Sequence, residues 1–151
     1  MSLRGVQRIL VPIELLAADF QAALELAVML ARTNDAEITL LHVLTPGSAI
    51  GAIVPGAHAE VDLEPERLSA LGKVDAVAES LRARGVARVS SHVELGFAVA
   101  HILGHTKTHA IDLIVMGTHG RHGLARIWLG SVAELVLRQA PCRVVVVRAP
   151  F

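Results

Sequence analysis

The sequence predicts an α/β fold: a single domain with a doubly wound parallel sheet of five strands and helices on both faces. The first reason is that short apolar runs alternate with segments of helical periodicity along the chain. The second is that runs such as the valines at 144–147 are apolar at every position, as in parallel strands buried on both faces. The third is the length of 151 residues, which suits one domain with its own core.

Five segments have the composition of strands. The first is closed by Pro12 and Glu14, and the last lies between Arg143 and Arg148. In chain order, the predicted strands cover residues 8–13, 38–44, 86–94, 112–116 and 143–148. Because the last strand would leave one edge of the sheet unpaired, we expect it to pair with a second copy of the chain.

Helical periodicity fills the spaces between these strands. Asp19 is the expected N-cap of the first helix, in which apolar residues recur at i, i+3, i+4 and i+7 through residues 20–31. The second helix has Pro65 in its first turn and stops at Gly85. The third covers residues 97–109, and the fourth begins near Ser131.

Composition excludes two classes of partner. The chain is 53% hydrophobic with a mean hydropathy of +0.55, but glycine, proline or charge interrupts every apolar run before the roughly 18 residues that span a bilayer. Its formal net charge of zero, without a basic block, argues against nucleic-acid binding. The single cysteine cannot form an internal disulfide, and no signal-peptide core is visible, so we expect a cytoplasmic protein.

The most informative stretch is MGTHGRHGLARIWLGSV at residues 116–132. It places Gly117, Gly120, Gly130 and Ser131 in the pattern G-x2-G-x9-G-[ST], between a predicted strand and a predicted helix. Glycines let the backbone approach a ligand closely, and a helix N-terminus offers free N–H groups to an anion such as phosphate. Neither the Walker pattern GxxxxGK[ST] nor the dinucleotide pattern GxGxxG is present.

This pattern resembles the signature of the nucleotide-binding branch of the universal stress protein family. The resemblance extends to the strands around residues 9–13, 40–43, 112–117 and 141–147, and so to nearly the whole chain. It implies the strand order 3-2-1-4-5, with Glu14 and Gly117 facing one crevice where the order reverses. It also implies ATP as ligand, with Mg2+ as a candidate companion ion, and a homodimer through the last strand.

The resemblance assigns a set of binding residues. Phosphates and ribose would be wrapped by residues 117–123, namely Gly117, Thr118, His119, Gly120, Arg121, His122 and Gly123. At the start of the last helix, Gly130 would belong to the site, and phosphate oxygens would accept hydrogen bonds from Ser131, Val132 and Ala133. Adenine or ribose would be bordered by Pro12, Val43 and Met116, and Glu14 would accept hydrogen bonds from ribose hydroxyls or adenine.

Three functions are compatible with these residues. The first is an ATP-binding stress-response or regulatory protein, in which nucleotide orders the loops at residues 45–61 and 117–130. The second is a slow ATPase or nucleotidyl-transfer enzyme, although no catalytic base is identifiable. The third is a stress-protein dimer that has lost nucleotide binding and acts by protein contacts, because Glu14 and Leu16 stand where the family usually has Asp and Ser.

Two further features have plainer interpretations. His101, His105 and His109 lie at i, i+4 and i+8, close enough for two of them to share a metal. No cysteine or carboxylate at matching spacing completes the set, so we expect a partly exposed polar helix face and no metal. Cys142 is expected to be a small buried hydrophobe rather than a nucleophile.

Overall fold

The computed structural model describes residues 3–15, 19–45, 62–118 and 129–148. In these parts the strands are β1 (Arg8–Pro12), β2 (Glu37–Leu44), β3 (Val89–Leu95), β4 (Leu113–Gly117) and β5 (Arg143–Val147). The helices are α1 (Asp19–Asn34), α2 (Glu64–Ala83), α3 (Ala98–Thr108) and α4 (Ser131–Gln139). Nowhere in these ranges is a helix both long enough and apolar enough to cross a membrane.

All five strands form one parallel sheet in the order β3-β2-β1-β4-β5. The predicted fold class and strand order are confirmed. The chain runs outward from β1 to β3 on one side and from β4 to β5 on the other, so the order reverses between β1 and β4. In open parallel sheets a ligand binds at such a point, beyond the carboxyl ends of the strands.

Alternate residues of each strand point to opposite faces of the sheet, and each face has its own hydrophobic cluster. On the back face, Ile9 and Val11 pack with α1 and α2. On the front face, Leu10 and Met116 pack with Ile102 of α3 and with α4. Both faces are therefore covered by helices, as the continuously apolar strands predict.

The end of α2 shows how local sequence sets the element boundaries. Gly85 has a φ of +94°, a conformation that side-chain-bearing residues rarely adopt, and its N–H donates to the carbonyl of Arg82. The N–H of Val86 donates to the carbonyl of Leu81. Gly85 thus ends the helix as predicted, but the predicted start of the third strand at Val86 is wrong, because Val86 still caps α2 and β3 begins at Val89.

The last strand is less buried than its sequence predicts. Every residue of β5 is only half-buried in the single chain. The reason is its place at the end of the sheet, where the described residues give it one neighbour, β4. The predicted loop at residues 45–61 lies, from residue 46 onward, outside the described residues.

Candidate functional site

The carboxyl end of β4 and the start of α4 are joined by main-chain hydrogen bonds. The N–H of Gly130 donates to the carbonyl of Thr118 at 2.6 Å, and the N–H of Thr118 donates to the carbonyl of Val147 at 3.1 Å. The chain therefore leaves the sheet at Thr118 and returns to the same point at Gly130. This arrangement brings together Gly117, Gly130 and Ser131 of the glycine motif.

Gly117 packs directly against the first residue of α1. A Cβ atom at Gly117 would lie 2.7 Å from the Cβ of Asp19, a separation that real side chains do not show. Beside it, the buried Thr118 hydroxyl donates a hydrogen bond of 2.6 Å to the buried carboxylate of Asp19. Position 117 thus requires a glycine for packing, whether or not a ligand binds.

The N-terminus of α4 has the geometry of an anion site. Gly130 is its N-cap, with φ −70° and ψ 157°, and the described residues provide no side-chain hydrogen bond to cap it. The carbonyl of Gly130 accepts the N–H of Glu134 at 2.9 Å, so the N–H groups of Ser131, Val132 and Ala133 precede the first helical hydrogen bond. These groups and the positive end of the helix dipole favour a negatively charged ligand.

The residues predicted to border adenine or ribose lie on neighbouring strand ends. Met116 and Ala133 belong to the front-face cluster, and Val43 and Val132 pack against it while half-buried. Pro12, also half-buried, is the last residue of β1. The ends of β1, β2 and β4 and the start of α4 thus form one continuous surface.

A cavity of about 400 Å3 opens on the back-face side of this surface, between the ends of β1 and β2 and the helix α2. The predicted site residue Glu14 lines it, with His42 and Lys73, whereas Gly117 is not among its described lining residues. The His42 ring is buried and its Nδ1–H donates to the carbonyl of Ile13 at 2.8 Å. The remaining described residues that line the cavity are Leu15, Leu44, Pro65, Glu66, Ser69 and Ala70.

Sequence reasoning missed this cavity. One signal was available, because His42 is a histidine inside a mostly apolar strand. Lys73 gave none, since it lies on the exposed side of α2, like most lysines.

Several predicted binding residues have no described position. The central part of the glycine motif lies outside the described residues, as does Leu16. The binding residues concerned are His119, Gly120, Arg121, His122 and Gly123.

The histidines of α3 form a partly exposed polar face, as predicted, since His109 is exposed and His101 is half-buried. His105 is buried, at 7% exposure, and His101 is held apart from it by a hydrogen bond of 2.9 Å from its Nε2–H to the carbonyl of Leu95. His92 and Glu94 of β3, which the helical spacing does not reveal, lie next to His105 instead.

Cys142 has no sign of activation. Burial raises the pKa of its thiol above the ordinary 9.0, and the nearby carboxylate of Asp112 raises it further. A thiol of this kind is a weak nucleophile at neutral pH. Cys142 is half-buried rather than fully buried as expected.

Comparison with known proteins supports one family throughout. The family model described as "Universal stress protein family" matches residues 5–148. Universal stress protein A homolog 2 of Coxiella burnetii is 34% identical over 143 residues, which are 94% of this chain and 94% of that protein. The solved universal stress protein UspA from Lactobacillus plantarum is 30% identical, with a TM-score of 0.72 over 96% of this chain and 99% of its own.

A solved universal stress protein from Archaeoglobus fulgidus, in complex with dAMP, shares the fold. Its TM-score is 0.68 at 19% identity, over 95% of this chain and 98% of that chain. The family match over nearly the full length agrees with the observed strand order and with the glycine motif between β4 and α4. This chain belongs to the universal stress protein family.

Proposed function

We propose that this protein binds an adenine nucleotide, with ATP as the expected ligand, and acts as a regulatory protein in a stress response. The observation that carries the proposal is the 2.6 Å hydrogen bond from the Gly130 N–H to the Thr118 carbonyl. It fixes the N-terminus of α4 beside the end of β4, at the reversal of strand order where α/β sheets bind ligands. The Archaeoglobus fulgidus relative in complex with dAMP supports an adenine nucleotide as the ligand class.

The phosphates would lie at the start of α4. Because Gly130 has no side chain, phosphate oxygens can approach the N–H groups of Ser131, Val132 and Ala133. Ser131 is exposed and can add its hydroxyl. The one acidic residue of the first turn, Glu134, is paired with Arg138 at 2.8 Å, which offsets its repulsion of a phosphate. Mg2+ would enter with the triphosphate, since it is usually bound through phosphate oxygens.

Base and ribose would lie over the ends of β1, β2 and β4. Val43 and Met116 offer an apolar surface there, on which the flat face of a base can pack. Glu14 lies at the boundary between this surface and the cavity lined by His42 and Lys73, and its carboxylate can accept hydrogen bonds from ribose hydroxyls. The 400 Å3 of that cavity is within the range of small-molecule sites.

The proposal includes a homodimer, formed through β5, in the cytoplasm. β5 is the last strand of the sheet, and its half-buried valines would be covered by a second copy of the chain. A single cysteine is in keeping with a reducing compartment.

Isothermal titration of the nucleotide-stripped protein with ATP, AMP and cyclic AMP tests the proposal. We expect saturable binding of ATP. AMP should bind with lower affinity, because it has fewer phosphates to interact with α4. No heat with any of the three would favour the dimer that acts by protein contacts alone. Product analysis after long incubation completes the experiment, because ADP accumulating over many turnovers would identify an enzyme.

A further inference from the structure

Four side chains that no part of the proposed nucleotide site uses come together on the front face of the sheet. His92 and Glu94 are alternate residues of β3 and pair in register with Leu41 and Val43, which belong to the front-face cluster. His105 lies on α3 close to one turn beyond Ile102, the residue that packs that helix onto the same cluster. The sheet pleat and the helix periodicity therefore direct His92, Glu94 and His105 to one place.

The rings are in direct contact. The ring centroids of His92 and His105 are 5.0 Å apart in an edge-to-face arrangement. The ring of His109 stacks on that of His105 at 4.7 Å, with 7° between the planes, and lies 5.6 Å from His92. The Nε2 atom of His105 is 3.5 Å from a carboxylate oxygen of Glu94.

The cluster has the spacing of a metal site. His105 is buried, at 7% exposure, and its Nε2 atom faces the Glu94 carboxylate. One possible ligand atom from each of His92, Glu94 and His105 lies within 4.8 Å of the other two.

We propose that His92, Glu94 and His105 form a binding site for a first-row divalent transition metal, with Zn2+ as the expected ion. Two imidazoles and one carboxylate are a ligand set that Zn2+ accepts, and water would take the fourth position. Mg2+ and Ca2+ do not suit the site, because they prefer oxygen ligands. His109, stacked on His105, restricts the orientation of that ring.

The required movement is small. Tetrahedral zinc with bonds of about 2.0–2.2 Å places its ligand atoms roughly 3.3–3.6 Å apart. Glu94 and His105 already have this separation. His92 and Glu94 are half-buried on an outer strand, so their side chains can turn toward the ion.

The test uses the full-length chain without an affinity tag, stripped of metal with a chelator and titrated with zinc chloride in the absence of nucleotide. We expect one Zn2+ per chain at micromolar concentration and a higher melting temperature with zinc, since an ion that joins β3 to α3 stabilises the folded state. His92→Gln and Glu94→Gln, both at half-buried positions, should each weaken binding about 10-fold or more.

His101→Gln is the matched control, because His101 lies on the same helix but bonds to the Leu95 carbonyl outside the cluster. It should bind zinc as the unmodified chain does. The proposal is overturned if the unmodified chain binds no zinc, or if His101→Gln weakens binding as much as His92→Gln. Replacement of zinc by Co2+ gives an independent readout: an intense visible spectrum indicates the tetrahedral site, and a weak octahedral one contradicts it.

The proposed metal site and the proposed nucleotide site can be tested separately. His92→Gln should leave ATP affinity unchanged, because His92 is not among the residues that would contact nucleotide. Loss of zinc binding with retained ATP binding in this variant would support both proposals at once. Loss of both would show that the cluster maintains the fold rather than binding a metal.

Discussion

The Thr118 hydroxyl donates a hydrogen bond of 2.6 Å to the carboxylate of Asp19, although 99 positions separate the two residues in the chain. Both residues are buried. The bond joins the end of β4 to the start of α1, next to Gly117. It therefore holds two walls of the candidate nucleotide site in a fixed relation.

Removing this bond should lower stability. Thr118→Val keeps the side-chain shape but takes one donor from a buried carboxylate, which should reduce the free energy of unfolding by about 1–3 kcal/mol. Urea denaturation measures the change. Thr33→Val is the matched control, since the exposed Thr33 hydroxyl donates to the carbonyl of Met29 in its own helix, and its effect should stay within about 0.5 kcal/mol. Equal losses in the two variants would contradict a special role for the buried bond.

Gly117→Ala should destabilise the fold even in the absence of ligand. The added methyl group would lie 2.7 Å from the Asp19 Cβ and 3.3 Å from its carbonyl carbon, and overpacking of this kind costs about 1–3 kcal/mol. Gly104→Ala serves as the comparison, because its added methyl group meets no other part of the described structure within 4 Å and alanine favours a helix by about 1 kcal/mol over glycine. Urea denaturation should move the two variants in opposite directions.

Gly130→Val tests phosphate binding more directly than Gly117→Ala does. The backbone at Gly130 is extended, with φ −70° and ψ 157°, so valine can adopt it without strain. Its side chain would cover the first N–H groups of α4, and we expect ATP affinity to fall at least about 10-fold, equivalent to roughly 1.4 kcal/mol. Titration calorimetry measures this change in ATP affinity. Gly104→Val, placed in open space on α3, should bind ATP normally; unchanged affinity in Gly130→Val would remove α4 from the phosphate site.

Val145→Glu tests the dimer. A carboxylate in the middle of β5 should oppose pairing with a second copy, so the chain should sediment as a monomer while its far-ultraviolet circular dichroism stays that of the folded protein. Because Val145 also packs against the back-face cluster, the circular dichroism is an essential control. A folded variant that still sediments as a dimer would place the interface away from β5.

Cys142 should be slow to alkylate at neutral pH. Burial raises the pKa of its thiol above 9.0, and only the thiolate reacts, so the rate with iodoacetamide should keep rising as the pH passes that value. Since the chain has a single cysteine, all cysteine alkylation that is measured comes from Cys142. The same chain unfolded in urea is the reference and should reach half its maximal rate at a lower pH. Coinciding profiles would show that the thiol is exposed.

The fold was predictable because its signals are local and repeated. Continuous apolar runs such as Leu113–Met116 predict buried parallel strands, and residues such as Gly85 end helices through their own backbone conformation. The strand order came from the resemblance to a family rather than from periodicity, which does not specify which strands are neighbours. The exposure of β5 also depends on the strand order, because the order places that strand at an edge of the sheet.

The site was predictable to a smaller extent. The motif indicated Gly117, Gly130 and Ser131, and the structure brings these residues together. The contact between Gly117 and Asp19 was not visible, because nothing in a linear pattern links the end of β4 with the start of α1. The same reason applies to His92 and His105, which are neighbours through the register of β3 rather than through helical spacing.

The bond between Gly130 and Thr118 has one more consequence. The bond joins the last described residue after β4 to the N-cap of α4. We therefore expect chimaeras that exchange residues 119–129 between relatives to keep β4 and α4 in the same relation, because both ends of the exchange lie at this bond.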